Sequence, residues 1–178
     1  MNYVFLDFDG VLNNKRYNKR LHKRDWSFCY NNFSLFKKLY DILNIQVILS
    51  TGWRRDLKDI NTPKDYIIKS RNDLEETNVD YFLRMFKENN IKISGMTDTL
   101  YQRKDGWDRL GQIKRYIDKN LKEDDNYVIL DDEDIFEKAK VLTESEEKMR
   151  LHFVKTKSND AFVQNDFDKC LKILGKNI

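Results

Sequence analysis

At 178 residues the chain is the length of one domain, with little left over for a second. Apolar residues at 40% and aromatics at 13% suffice for a packed core and exclude wholesale disorder. A net charge of +3 is too mild to argue for a nucleic-acid partner by itself, although 35% charged residues imply a heavily solvated surface. Cys29 and Cys170 lie far apart and match no metal spacing, so two free thiols in a reducing compartment are expected. No apolar run reaches the length of a membrane span. The apolar residues at the N-terminus stop at Asp7, too soon for a signal peptide. A soluble, cytoplasmic protein with no membrane partner is the expectation.

In chain order, Tyr3, Val4, Phe5 and Leu6 come first, an apolar run without polar alternation. That is the pattern of a strand buried on both faces of a parallel sheet. Asp7 and Asp9 follow at once. Residues 15–24 hold Lys15, Arg16, Lys19, Arg20, Lys23 and Arg24, with no acid before Asp25 and with Tyr17, Trp26, Phe28 and Tyr30 in or beside them. Interleaved bases and rings can hold a single nucleic-acid strand by phosphate contacts and stacking. A solvated basic loop has the same composition, and both readings stay open. Leu35, Phe36, Leu39, Tyr40 and Leu43 then keep helical spacing, with Asn31 or Asn32 as the N-cap. Ile45, Val47, Ile48 and Leu49 repeat the strand grammar and stop at Ser50, Thr51 and Gly52.

Val79, Phe82, Leu83 and Phe86 form a second helical stripe, and residues 91–94 a weaker strand. A third stripe runs through Leu110, Ile113, Ile117 and Leu121. Tyr127, Val128, Ile129 and Leu130 form a strand that ends on Asp131 and Asp132. Residues 151–156 are another weaker strand, and Phe167, Cys170, Leu171 and Leu174 a last helix capped near Asn165. Strands alternating with helices predict an α/β fold, a three-layer Rossmann-like parallel sheet, as one domain over residues 1–178.

Open α/β sheets bind ligands at the carboxyl ends of their strands. If the three strong strands are neighbours, Asp7, Asp9, Ser50, Thr51, Asp131 and Asp132 meet on one edge. Four carboxylates there would repel one another unless a cation neutralised them, and an all-oxygen set favours magnesium. A magnesium site attracts phosphate and allows a carboxylate to act as nucleophile. Asp9, two residues past Asp7, can lean over the site as an acid and base while its backbone carbonyl faces the metal. Gly10 permits the tight turn that follows.

The run Asp7, Phe8, Asp9, Gly10, Val11, Leu12 after a strand resembles the first motif of the haloacid dehalogenase-like (HAD) superfamily. Residues 47–54, through Ser50, Thr51, Gly52, Trp53 and Arg54, resemble the second, and residues 128–132 the fourth, the acidic pair. The third motif, usually a lysine at a helix start, has no identical counterpart. Arg109 is the first choice for it, with Lys114 and Lys104 as alternatives. The motifs and short spacers are similar to a capless branch that includes HAD domains of RNA-repair proteins and phosphatase domains of polynucleotide kinases. No large cap domain is expected, because the first spacer is short and residues 55–107 read as ordinary helix and strand.

The resemblance implies a magnesium-dependent phosphomonoesterase acting through a phosphoaspartyl intermediate. Asp7 would be nucleophile and metal ligand, and Asp9 general acid, then base. Ser50 would hold a phosphoryl oxygen with Thr51 and Gly52 nearby, and Arg109 or its substitute would balance charge on the aspartate. Asp131 and Asp132 would complete the magnesium site. Arg54 and Arg16 are candidates for gripping the substrate's phosphate, since guanidinium forks suit phosphate oxygens. Trp53 reads as a packing residue, and His22 and His152 as bystanders. The implied substrate is a nucleotide or the phosphorylated end of a nucleic acid. The alternatives are a small-metabolite phosphatase and a non-catalytic binding or regulatory protein on the same fold.

Overall fold

The computed structural model describes residues 1–14, 28–64, 77–100, 108–137, 139 and 141–175. In chain order the elements are β1 (Asn2–Leu6), α1 (Tyr30–Leu43), β2 (Gln46–Leu49), a 3-10 turn (Gly52–Asp56), β3 (Leu57–Asp59) and β4 (Thr62–Pro63). They continue with α2 (Asn78–Glu88), β5 (Ile93–Met96), α3 (Arg109–Asn120), β6 (Asn126–Asp131), α4 (Glu144–Arg150), β7 (Phe153–Lys155) and α5 (Gln164–Ile173). Five strands form one sheet in the order β5-β2-β1-β6-β7, and every neighbouring pair is parallel. The three strong apolar runs are its centre, where both faces are covered. The two weaker ones, β5 and β7, are its edges.

Side-chain alternation divides the core between two helical layers. Val4, Leu6, Val47, Leu49, Val128 and Leu130 pack with Phe36 and Leu39 of α1, Phe82 and Phe86 of α2 and Leu171 of α5. Phe5, Ile48 and Ile129, one residue out of phase, pack with Leu110 and Ile113 of α3 and Met149 of α4. Each such side chain contributes about 1.5–3 kcal/mol through burial. Period two in the strands therefore produces the expected three layers. The chain moves outward from β1 to β2 and β5, then returns to β6 and β7 on the other side. The order reverses between β1 and β6, where doubly wound sheets open a crevice. No large cap domain is present among the described residues.

Three local expectations shift. The helix after the basic stretch begins at Tyr30 with Cys29 as a cap that makes no side-chain bond. Asn32 lies inside it, and its amide donates to the carbonyls of Asp160 and Phe162 at 3.0 and 2.8 Å, tying α1 to the loop before α5. The last helix opens at Gln164, where the Asp166 carboxylate accepts from the Val163 amide. The sequence reading also missed α4, which Thr143 and Glu146 start with a capping box.

Candidate active site

In-register pairing brings the strand ends flush. Leu6 pairs with Leu49 on one side and with Leu130 on the other. The ladder then runs one step further, as the Ser50 amide donates to Leu6 and the Asp7 amide to Leu130, each at 3.0 Å. Asp7, Ser50 and Asp131 therefore stand in a row at the carboxyl edge. Phe8, fully buried, points the other way. Its ring lies 5.0 Å from Phe82, 5.3 Å from Phe28 and 5.4 Å from Trp53, which anchors the loop between the two aspartates in the core.

Carboxylate oxygens of Asp7, Asp131 and Asp132 lie within 4.8 Å of one another. With oxygen alone on offer, the set suits a hard divalent ion such as magnesium. Arg109, the first residue of α3, reaches into this group. One of its nitrogens donates to Asp131 at 2.6 Å and stands 3.0 Å from an Asp7 oxygen. Burial works against the guanidinium charge, but Asp7 and Asp131 outweigh it and raise its pKa. Burial first, then Asp7, push Asp131 upward, and Arg109 opposes them. The guanidinium favours the ionised form of Asp131 but does not cancel the rise that burial and Asp7 cause. Arg109 thus sits where a third-motif cation would be needed. Lys114 pairs with Asp118 on an exposed helical face instead. Lys104 lies outside the described residues.

Asp9 stands apart from the triad. Its two carboxylate oxygens accept from the Asn13 amide at 2.9 Å and from the Trp53 indole at 3.0 Å. Its side chain is not among the three carboxylates that cluster for a metal. Burial raises the Asp9 pKa above the usual carboxylate range; Asp7 and Asp132 add to the rise, while the Asn13 and Trp53 bonds hold it down. Gly10 has φ +71°, and a Cβ there would strike the Asp132 carboxylate, so only glycine suits both the turn and the close approach. The Gly10 amide donates to Asn13 at 3.0 Å, and its carbonyl accepts from Thr156 at 2.7 Å. Ser158 donates to Asp132.

Ser50 is fully buried, and its hydroxyl has no hydrogen-bond partner among the described residues. An orphaned buried hydroxyl costs about 1–3 kcal/mol, a cost that an arriving acceptor would remove. Thr51 caps the 3-10 turn by accepting from the Trp53 amide. A Cβ at Gly52 would meet open space. Arg54 corrects an expectation. All five of its N–H groups are spent, on the carbonyls of Ser50, Thr51, Thr97 and Asp98 and on the Gln112 side chain. It is a buried clamp, with no donor left for a substrate phosphate. Arg16 and the basic residues 15–24 lie outside the described residues.

Asn13, Trp53, Thr156 and Ser158 escaped the sequence reading as site residues. Asn13 carries a faint signal, three residues past Gly10 in a turn. A tryptophan N–H withdrawn from water usually finds a partner, but nothing local says that the partner is Asp9. His152 stacks on Tyr127 and bonds its carbonyl, away from the acids, as expected of a bystander.

Strand-end acids on β1 and β6, a strand-end serine on β2 and a cation opening α3 all occur within a span that matches one known family. Residues 3–167 match the HAD domain in Swiss Army Knife RNA repair proteins. The chain belongs to that family. Comparison with curated proteins returned no match. Comparison with solved structures returned none. Membership makes this HAD domain one of phosphatase-type hydrolase descent, and its acidic triad accords with that. No described helix is long and apolar enough to cross a membrane.

Proposed function

We propose that this HAD domain is a magnesium-dependent phosphomonoesterase that works through a phosphoaspartyl intermediate on the phosphorylated end of a nucleic acid. The observation that carries the reading is the division among the carboxylates. Three converge with Arg109, while Asp9 is held aside by two hydrogen bonds with its proton affinity raised. Asp7, Asp131 and Asp132, with the Asp9 carbonyl, would hold magnesium, which when bound screens the anionic site and polarises the phosphoryl group.

An Asp7 oxygen attacks phosphorus, and the ester P–O bond breaks. Asp9 gives its proton to the departing alkoxide. Asp9, now a base, takes a proton from water, which attacks the acyl phosphate and releases inorganic phosphate and free Asp7. Ser50 donates its unspent hydroxyl proton to a phosphoryl oxygen. Arg109 opposes charge on the phosphorylated aspartate. Thr51 and Gly52 border the phosphoryl position, where the space beside Gly52 admits substrate. The RNA-repair character of the family supports a nucleic-acid end over a small metabolite.

A phosphate-release screen tests the reading directly. Mononucleotides, end-phosphorylated oligonucleotides and sugar phosphates are compared with magnesium, with chelator and with calcium. Release that needs magnesium, fails with calcium and is fastest on oligonucleotides is expected. Fastest release from a sugar phosphate would favour a metabolite phosphatase, and none from any substrate would favour a binding protein.

A further inference from the structure

A cavity of about 840 Å³ does not contain the catalytic acids but shares two walls with them. Along the loop after β7 the residues alternate in direction. Thr156 and Ser158 hold Gly10 and Asp132, whereas Lys157 and Asn159 line the cavity. In the loop after β1, Asn13 holds Asp9 and Gly10 while Asn14 lines the cavity. The rest of the lining comes from Lys155 of β7, from Asp160 and Ala161 in the loop before α5, and from the starts of α1 and α5, where Asp166 is paired with Lys169 at 3.2 Å. Helices that follow parallel strands start at the carboxyl edge, so the cavity opens on the same edge as Asp7.

Its chemistry is unlike that of the catalytic site. Lys157 has no ion-pair partner among the described residues, so its charge is free for an anion. Tyr30, at the rim, is 78% exposed and presents a ring with no stacking partner among the described residues. Asn31 and Asn159 each offer one donor and one acceptor, the complement of a base edge. The α1 first turn has neither a side-chain cap nor an acidic residue, so the acids of the lining, Asp160 and Asp166, lie outside that turn. A lone phosphate would leave most of the volume empty, whereas about 300–1,000 Å³ is the usual range for a pocket enclosing an organic ligand.

We infer that this cavity is a subsite for the nucleotide next to the phosphorylated end of a single-stranded nucleic acid, with Lys157 on its phosphodiester and Tyr30 stacked on its base. The inference rests on the proposed reading, in which the terminal phosphate lies at Asp7. A mononucleotide has no adjoining nucleotide to place in the cavity, whereas an oligonucleotide does.

The test uses hexauridylates phosphorylated at the 5′ or the 3′ end and a small aryl phosphate as reference. Turnover is compared for the parent, Lys157→Ala and Tyr30→Ala. Binding of a labelled hexauridylate is followed by fluorescence anisotropy across a salt series in the Asp7→Asn background. Lys157→Ala should weaken binding several-fold at low salt and reduce the slope of log Kd against log salt by about 1. Tyr30→Ala should weaken binding about fivefold or more with the slope unchanged, since stacking releases no counterions. The ratio of kcat/KM on hexauridylate to that on aryl phosphate should fall with each. Unchanged binding and slope in both variants would overturn the subsite. So would equal losses on both substrates. If the parent released no phosphate from anything, the catalytic reading would fall, and the anisotropy series would still decide the cavity.

Discussion

Two arginines are buried at the same edge of the sheet, and they do opposite work. Arg54, in the 3-10 turn after β2, is surrounded by neutral acceptors, four carbonyls and an amide. Burial, with help from Arg109 and Arg55, lowers its pKa to about 10. Arg109, at the start of α3, meets two carboxylates, and its pKa rises. A guanidinium saturated by backbone carbonyls fastens loops and has nothing to say to a change of charge. One shared between the proposed nucleophile and its neighbour responds whenever that charge moves. What distinguishes the two cations is the charge of their partners, since burial is common to both.

The largest effect should come from the group that Arg109 answers to. Asp7→Asn should lower phosphate release by about 10⁴-fold or more, because an amide cannot form the acyl phosphate. Circular dichroism should show the fold retained. A folded variant with parental turnover would remove the covalent step and the special status of Arg109 with it.

The contrast between the arginines is read by replacing each. Arg109→Ala should lower kcat by about 10²–10³-fold, the scale of losing one charge-stabilising donor, and Arg109→Lys should restore part of it. Arg54→Ala should act on stability instead. It strands several buried carbonyls at a cost of about 3 kcal/mol or more, or about 6–12 °C in Tm at this chain length. The fraction that stays folded should keep most of its kcat. Similar kcat losses in the two folded alanine variants would break the comparison.

A smaller effect is expected beside Arg54. The Trp53 indole donates to Asp9, which favours the ionised form and lowers its pKa. Removing that bond in Trp53→Phe should raise the pKa further. Asp9 acts first as an acid, so activity is lost as pH rises through its pKa. The alkaline limb of the pH–kcat/KM profile should therefore move to higher pH. A limb that stays put or moves down would leave Trp53 as packing alone.

Least of all should come from Gly52→Ala. The added methyl enters open space, so stability should change by no more than about 0.5 kcal/mol. A rise in KM without loss of stability would sharpen the picture by placing substrate beside the clamp rather than on it.

The order of these effects reflects how visible each residue was. Asp7, Ser50 and Asp131 were legible because each ends an unbroken apolar run, and chain direction puts such ends on one edge of a parallel sheet. Gly10 was legible as a turn, though its contact with Asp132 was not. Arg109 was picked by its position at a helix start. Arg54 looked like a phosphate ligand beside a strand-end motif, and local sequence could not reveal that Thr97, Asp98 and Gln112 come back from over forty residues away to use its donors.

By itself, then, the sequence determined the strands, their burial on both faces and the polar residues at their ends, since period and chain direction are local properties. Only the tertiary structure decided which strands are neighbours, which acids converge and which one is held apart. It also decided whether each buried arginine faces charge or neutral carbonyls. Those outcomes depend on hydrogen bonds between residues distant in the chain, and no spacing within a motif encodes them.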